Sequence, residues 1–302
     1  VWGRLLSYVF SLIAMGIFFQ LARYLLPDLG AIAALLFFVL SSLVVRISTS
    51  LQPEGLMFLG YVLAVYAFIR WLDEDSWYYY GIAVFATALA ILAKANAAHL
   101  GLFFAIVILI QKGFNVLKKL RVWIFAIVSL LPAVLWYAHA YKLWLTYGNS
   151  LGVSNQYHWI GWDFFTNPHF ILRIGDLEVS YVWMPTGILI AGLGVFFRRT
   201  PREVRYSLYW LSAISLYYII AARTTAGAWA DYYHVVSVPP VAILMGAGVD
   251  AMYHLAMHYK YRRVLIIAST VLGAILAIIV GDGMEDSLKL LIFLFSVLLM
   301  TV

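Results

Sequence analysis

Apolar residues run through this 302-residue chain in long blocks, each bounded by charges or turn residues, a pattern that predicts membrane-spanning helices. The blocks fall at roughly 5–26, 29–45, 55–71, 78–93, 97–111, 122–144, 181–197, 206–222, 232–255 and 264–281, followed by an apolar run at 290–302. The apolar residues do not alternate with polar ones, so a pore-type β-barrel is excluded. The predicted fold class is all-α, a polytopic transmembrane helix bundle of about ten to eleven membrane segments. No repeat, low-complexity tract or flexible linker interrupts it, so residues 1–302 are expected to form one membrane domain, truncated at both ends, with an external aromatic-rich loop at 145–180.

Two neighbouring blocks, 78–93 and 97–111, fall short of a ~30 Å hydrocarbon core at ~1.5 Å per residue. They are read as two short crossings broken at Lys94-Ala95-Asn96, because a lysine in the middle of one long helix is costly in lipid. A single tilted helix is the alternative.

Loops 112–121, 198–205 and 258–263 are densely basic, and two predicted spans separate each from the next. The positive-inside rule then places all three in the cytoplasm under one alternating topology. The same topology puts 1–4, 46–54, 145–180, 223–231 and 282–287 on the other side.

Composition sharpens the class. Hydrophobic side chains make up 65% of the chain and charged ones 11%, which a water-soluble domain does not tolerate. The net charge of +6 sits in short interhelical loops, so it reports topology and gives no reason to expect nucleic acid. The absence of cysteine excludes disulfides, thiolate-ligated metals and a cysteine nucleophile. There is no phosphate-cradling loop, dinucleotide fingerprint, zinc-protease motif or nucleophile elbow.

Polar residues beside the hydrocarbon region are the candidates for chemistry, and they crowd the external ends. Gln52-Pro53-Glu54 precedes an apolar helix: Ser50 or Gln52 suits a cap, Pro53 the first turn, and Glu54 the helix dipole or a polar cavity. Lys94, Asn96 and His99 form a second cluster, in which Lys94 either snorkels to the headgroups or offers a fixed positive charge to a lipid-linked phosphate. The 145–180 loop carries Asn155 to Trp159, Trp162-Asp163, Arg173, Asp176 and Glu178. Its Phe164, Phe165, Phe170, Ile171 and Leu172 suit an amphipathic cover on the interface. Arg223, then Asp231-Tyr232-Tyr233-His234, place cations, a carboxylate, an imidazole and phenols at the mouth of a span. Pro239-Pro240 is expected to break that span.

In their order along the chain these residues resemble the GT-C superfamily of lipid-phosphate-sugar-dependent glycosyltransferases. The closest group is that of the protein O-mannosyltransferases and lipid A aminoarabinose transferases (glycosyltransferase family 39). Gly3-Arg4-Leu5 resembles the arginine opening that family's second span. Gln52-Pro53-Glu54 resembles its external proline–acid motif, and Leu92-Ala93-Lys94 its lysine turn. Asp231-Tyr232-Tyr233-His234 with Val238-Pro239-Pro240 and Gly246 resembles its late signature. Asn167-Pro168-His169-Phe170 and Pro185-Thr186-Gly187 fit the end of its long external loop.

The resemblance implies a GT-C-like bundle that moves a sugar from a dolichyl- or undecaprenyl-phosphate donor to an acceptor hydroxyl on the non-cytoplasmic face, with inversion. The acceptor would be a protein, lipid or glycan, and membrane lipid the other partner. It implies an integral protein of the plasma (inner) membrane in a bacterium or archaeon, or of the endoplasmic reticulum in a eukaryote. Arg4, Lys94 and Arg223 are then the expected phosphate or sugar contacts, and Gln52, Glu54, Asn96, Asp231, Tyr232, Tyr233 and His234 the lining of the pocket. No metal or cofactor is assigned beyond the lipid-linked sugar phosphate, itself a substrate. The family's catalytic aspartate lies in the loop after its first span, upstream of the counterpart of Val1, so the 302 residues alone are expected to be inactive. A secondary transporter or lipid flippase, and a non-catalytic membrane subunit, are the alternatives.

Overall fold

A computed structural model describes residues 2–148, 167–197, 202–227 and 231–258, and every regular element among them is helical. The predicted segments at 264–281 and 290–302, the aromatic run 155–165 and most of the third basic loop lie outside the described residues.

The first apolar block forms α1 (Trp2–Leu25), which ends before Pro27. Pro27 opens α2 (Asp28–Val39), where its fixed φ and missing N–H cost nothing. At Ser41 the backbone turns extended, and α3 (Ser42–Thr49) continues at 56° to α2. The predicted span 29–45 is thus a bent pair. Pro53 precedes α4 (Glu54–Glu74), with Glu54 in the first turn, where the helix dipole favours its charge. Neither Ser50 nor Gln52 caps this helix: the Ser50 hydroxyl lies against Ile47 O and Gln52 Oε1 instead. Asp75 closes α4 at φ 47°, a left-handed geometry that aspartate tolerates.

The chain then makes a hairpin of two short crossings. Helix α5 (Trp77–Ala93) stops at Lys94, whose φ of −158° and ψ of 123° are extended. A 3₁₀ turn (Ala95–His99) leads into α6 (Leu100–Lys112). Both ends of the hairpin lie near Arg121: Trp77 stacks under its guanidinium, Tyr80 donates to its carbonyl, and Lys112 precedes it by one short turn. Lys94 is therefore at the hairpin's tip, and the single tilted helix is excluded. Helix α7 (Leu120–Tyr147) follows and packs mainly on α5.

Next among the described residues, α8 (His169–Glu178) runs through a π turn (Val179–Trp183) to Met184, at φ 52°. There the path turns by 83° into α9 (Pro185–Phe197). The predicted span 181–197 accordingly begins only at Pro185. Phe170, Ile171 and Leu172 lie on α8, with Ile171 and Leu172 exposed. Helix α10 (Arg202–Ile220), a turn at Ala222–Thr225 and a 3₁₀ stretch (Asp231–Ser237) lead into α11 (Val238–His258). Pro239-Pro240 does not break this helix. Both prolines sit in its first turn, where no intrahelical N–H donor is needed.

Helix α11 is buried over residues 238–251, against α2, α9 and α10. Small residues make this possible. A Cβ on Gly194 would stand 2.8 Å from Leu244 O and from Gly248 N, so α9 and α11 touch backbone to backbone. Five helical segments are long and apolar enough to cross a membrane, or up to seven if each bent pair is one span. The expected ten to eleven are not reached among the described residues.

Polar contacts divide into two ends. Glu54 begins α4 and Asp73 lies 19 residues on, about 28 Å away along the axis at ~1.5 Å per residue. Around Asp73 gather Tyr24, Arg202, Arg121 with Asp75, and Gln111 with Tyr206. Around Glu54 gather Lys94 and the start of the Asp231 segment. The first group contains residues of two predicted cytoplasmic loops, Arg121 and Arg202.

Candidate functional site

The Glu54 end is built by four stretches far apart in sequence. Pro53 sets the start of α4, which points Glu54 into the bundle, and the extended backbone at Lys94 brings the ammonium opposite it. The two form an ion pair, with Glu54 only 3% exposed and the Lys94 side chain 18% exposed. Glu54 Oε1 takes the ammonium; Oε2 is buried with no hydrogen-bond partner. Burial holds the Lys94 pKa below the ordinary lysine value, against the opposite pull of the Glu54 carboxylate.

The 3₁₀ stretch supplies a roof. Tyr232 and Tyr233 each present a ring to Lys94 Nζ at 4.3 Å from the centroid, and their own centroids are 4.3 Å apart. Two aromatic faces stabilise the ammonium where water is scarce. Beside them Asp231 pairs with Arg46, which comes from the last turn of α3 and keeps half its side chain exposed.

Beneath the lysine turn lies a buried network. Tyr61 stands between the His99 Nε2 (2.8 Å) and Trp210 Nε1 (2.5 Å), and its hydroxyl is 3.3 Å from Val236 O. His99 Nδ1 faces Asn96 O at 2.5 Å, and its ring stacks on Tyr217. The Ala95 N–H donates to the Tyr137 hydroxyl of α7 (3.1 Å). These bonds fix the hairpin tip on which Lys94 rides.

His234 turns away from Lys94. Its Nδ1 meets Glu178 Oε1 at 2.7 Å and its Nε2 meets Thr225 O at 3.0 Å. Of the expected site residues, Glu54, Lys94, Tyr232 and Tyr233 thus make one cluster, with Asp231 adjoining it and Asn96 buried beside it. His234 reaches the cluster only through its neighbours in sequence. Gln52 and Arg223 are exposed at the same end, outside the cluster. Arg4 is exposed in the first turn of α1, near Leu51, against which Gly3 packs.

Arg46 and Glu178 are two charges at this end that the motifs did not single out. Glu178 stands among the polar residues of the 145–180 loop and Arg46 in the 46–54 stretch, with no role assigned to either. Their partners lie 185 and 56 residues away, a relation that no local pattern carries.

The chemistry available is a shielded cation, a half-satisfied buried carboxylate and a second, more exposed acid–base pair, all at one end of an apolar bundle. Residues 2–137 match the family model described as dolichyl-phosphate-mannose-protein mannosyltransferase. The matched region holds Arg4, Gln52, Glu54, Lys94 and Asn96 and ends before the Asp231 segment. No curated protein and no solved structure matches the chain significantly. The family match, with the apolar helices, supports the recognition of a GT-C glycosyltransferase and an integral membrane protein.

Proposed function

We propose that this chain is part of a polyprenyl-phosphate-sugar-dependent glycosyltransferase, working at the membrane face that holds Glu54, Lys94 and Asp231. The observation that carries the reading is the meeting of Lys94, Glu54 and the Tyr232-Tyr233 pair at one end of the bundle.

A lipid-linked sugar phosphate presents an anion at the headgroups and a long tail to the hydrocarbon. Lys94 has two ammonium hydrogens left after its bond to Glu54, enough to meet phosphate oxygens as the leaving group gains charge. The tyrosine rings exclude water from that charge without cancelling it. Arg46, anchored by Asp231 through one nitrogen, keeps further donors toward the surface for the same phosphate. Glu54 holds the ammonium in place for that contact. Since phosphate is a good leaving group, no general acid is needed; the acceptor hydroxyl needs a base, which is assigned to none of the residues described. Attack opposite the phosphate inverts the anomeric carbon. The apolar helices around the site provide the surface for the lipid tail. The reading places the site at the non-cytoplasmic face, opposite the basic loops.

The test is donor choice in the full-length protein. Reconstituted in vesicles, it should transfer labelled sugar from a polyprenyl phosphate to a hydroxyl acceptor, with inverted configuration, and should ignore the corresponding nucleotide sugar. Transfer from the nucleotide sugar alone, or translocation of the lipid-linked sugar without transfer, overturns the reading.

A further inference from the structure

Glu178 and His234 form a buried, multiply bonded contact at this end of the protein, and the site chemistry above does not use it. His234 is fully buried and the Glu178 side chain is 14% exposed. The Nε2 of His234 faces a backbone carbonyl, Thr225 O, and so must carry a hydrogen. Its Nδ1 faces Glu178 Oε1. That carboxylate already receives two donors: Ser237 Oγ reaches Oε1 at 2.9 Å and Trp183 Nε1 reaches Oε2 at 3.1 Å. Tyr218 lies 2.7 Å from Ser237 Oγ and feeds the same chain, with its hydroxyl donating to Ser237 and Ser237 to Glu178. With Nε2–H donating to Thr225 O, the 2.7 Å contact between Nδ1 and Oε1 closes a chain of hydrogen bonds that joins both side chains. A buried hydrogen-bonded pair of this kind is held by geometry and by the bonds that satisfy both partners.

The two residues come from different structures. Glu178 ends α8, whereas His234 directly follows the Tyr232-Tyr233 roof. We propose that the Glu178–His234 pair is a clasp that docks residues 167–184 onto the 231–237 segment and so sets the two tyrosines over Lys94. In this role Glu178 is a positioning residue: it acts on Lys94 through His234 and the backbone, without touching the ammonium. The kinetic consequence rests on the glycosyltransferase reading; the docking does not.

The experiment uses the full-length protein with Glu178→Gln, His234→Gln and the double variant, read in two ways. Trypsin cleavage after Arg173, within α8, reports docking whatever the protein catalyses. Each single variant leaves one member of the buried pair without its matched partner, so cleavage should accelerate about tenfold or more, and the double, which removes both members, should return most of the way to wild type. Sugar transfer should follow the same pattern: kcat/KM falls about tenfold in each single and recovers in the double to within about threefold of wild type. Single variants that fail to accumulate while the double accumulates also support the clasp. Unchanged cleavage in the singles, losses that multiply in the double, or failure of all three to accumulate overturns it. Cleavage that behaves as expected in a protein that transfers no sugar keeps the clasp and removes the glycosyltransferase reading.

Discussion

Replacing Lys94 by methionine removes the charge but keeps the unbranched stem. The loss falls on Glu54, 3% exposed, whose Oε2 has no hydrogen-bond partner and whose Oε1 depends on the ammonium. A carboxylate stranded in that position costs about 3–5 kcal/mol. The reverse change, Glu54→Gln, is milder. Lys94 retains two aromatic faces, each worth about 0.5–2 kcal/mol, and its partly exposed side chain reaches water, so a loss of about 1–2 kcal/mol is expected. The double variant strands nothing and should lose no more than about 2 kcal/mol. The two changes therefore couple by about 3 kcal/mol, the order expected for unit charges ~4 Å apart in a medium of effective dielectric ~20. Reversible unfolding in detergent micelles, followed as a double-mutant cycle, measures this. Additivity within about 0.5 kcal/mol would show that the pair is not a coupled charge pair and would refute the reasoning.

Tyr61→Phe removes a hydroxyl that serves both His99 and Trp210 within the core, and should cost about 1–3 kcal/mol in the same unfolding assay. Gly194→Ala forces α9 away from α11, since the new methyl would meet backbone at 2.8 Å; a loss of about 1–3 kcal/mol is expected by thermal unfolding. Arg46→Gln opens a partly exposed pair, so stability should change by about 1 kcal/mol or less, while the KM for the lipid donor rises. The native chain has no cysteine, so single cysteines at Leu51 and Tyr78, both exposed, can be labelled from either side of sealed vesicles. A membrane-impermeant reagent should reach them from opposite sides; labelling from the same side contradicts the two-ended arrangement.

The spans were legible because a helix in lipid must be apolar on every exposed face, which leaves unbroken blocks in the sequence. The hairpin tip was legible for the complementary reason, since Lys94 is affordable only where the chain leaves the hydrocarbon. The bends were not. Ser41 lies within apolar surroundings that suit a straight helix equally well; Pro185 marks a helix boundary after Met184, but a methionine at φ 52° has no compositional signature. Pro239-Pro240 misled because proline breaks a helix in its interior and opens one in its first turn, and sequence alone did not say which side of the boundary the pair occupied. Glu54, Lys94 and the tyrosine pair stood out as polar groups at the ends of apolar blocks. Their mutual contacts, and the roles of Arg46 and Glu178, come from packing between distant segments.

The central claim is that Lys94, Glu54 and the Asp231–Tyr233 segment act as one site for sugar transfer. The direct measurement is the rate of transfer from a labelled polyprenyl-phosphate sugar by full-length wild type, Lys94→Ala and Asp231→Asn, at equal amounts of membrane-inserted protein. Each substitution should lower the rate about tenfold or more, the loss expected when a group that positions or stabilises the leaving phosphate is removed. Rates equal to wild type in both would contradict it.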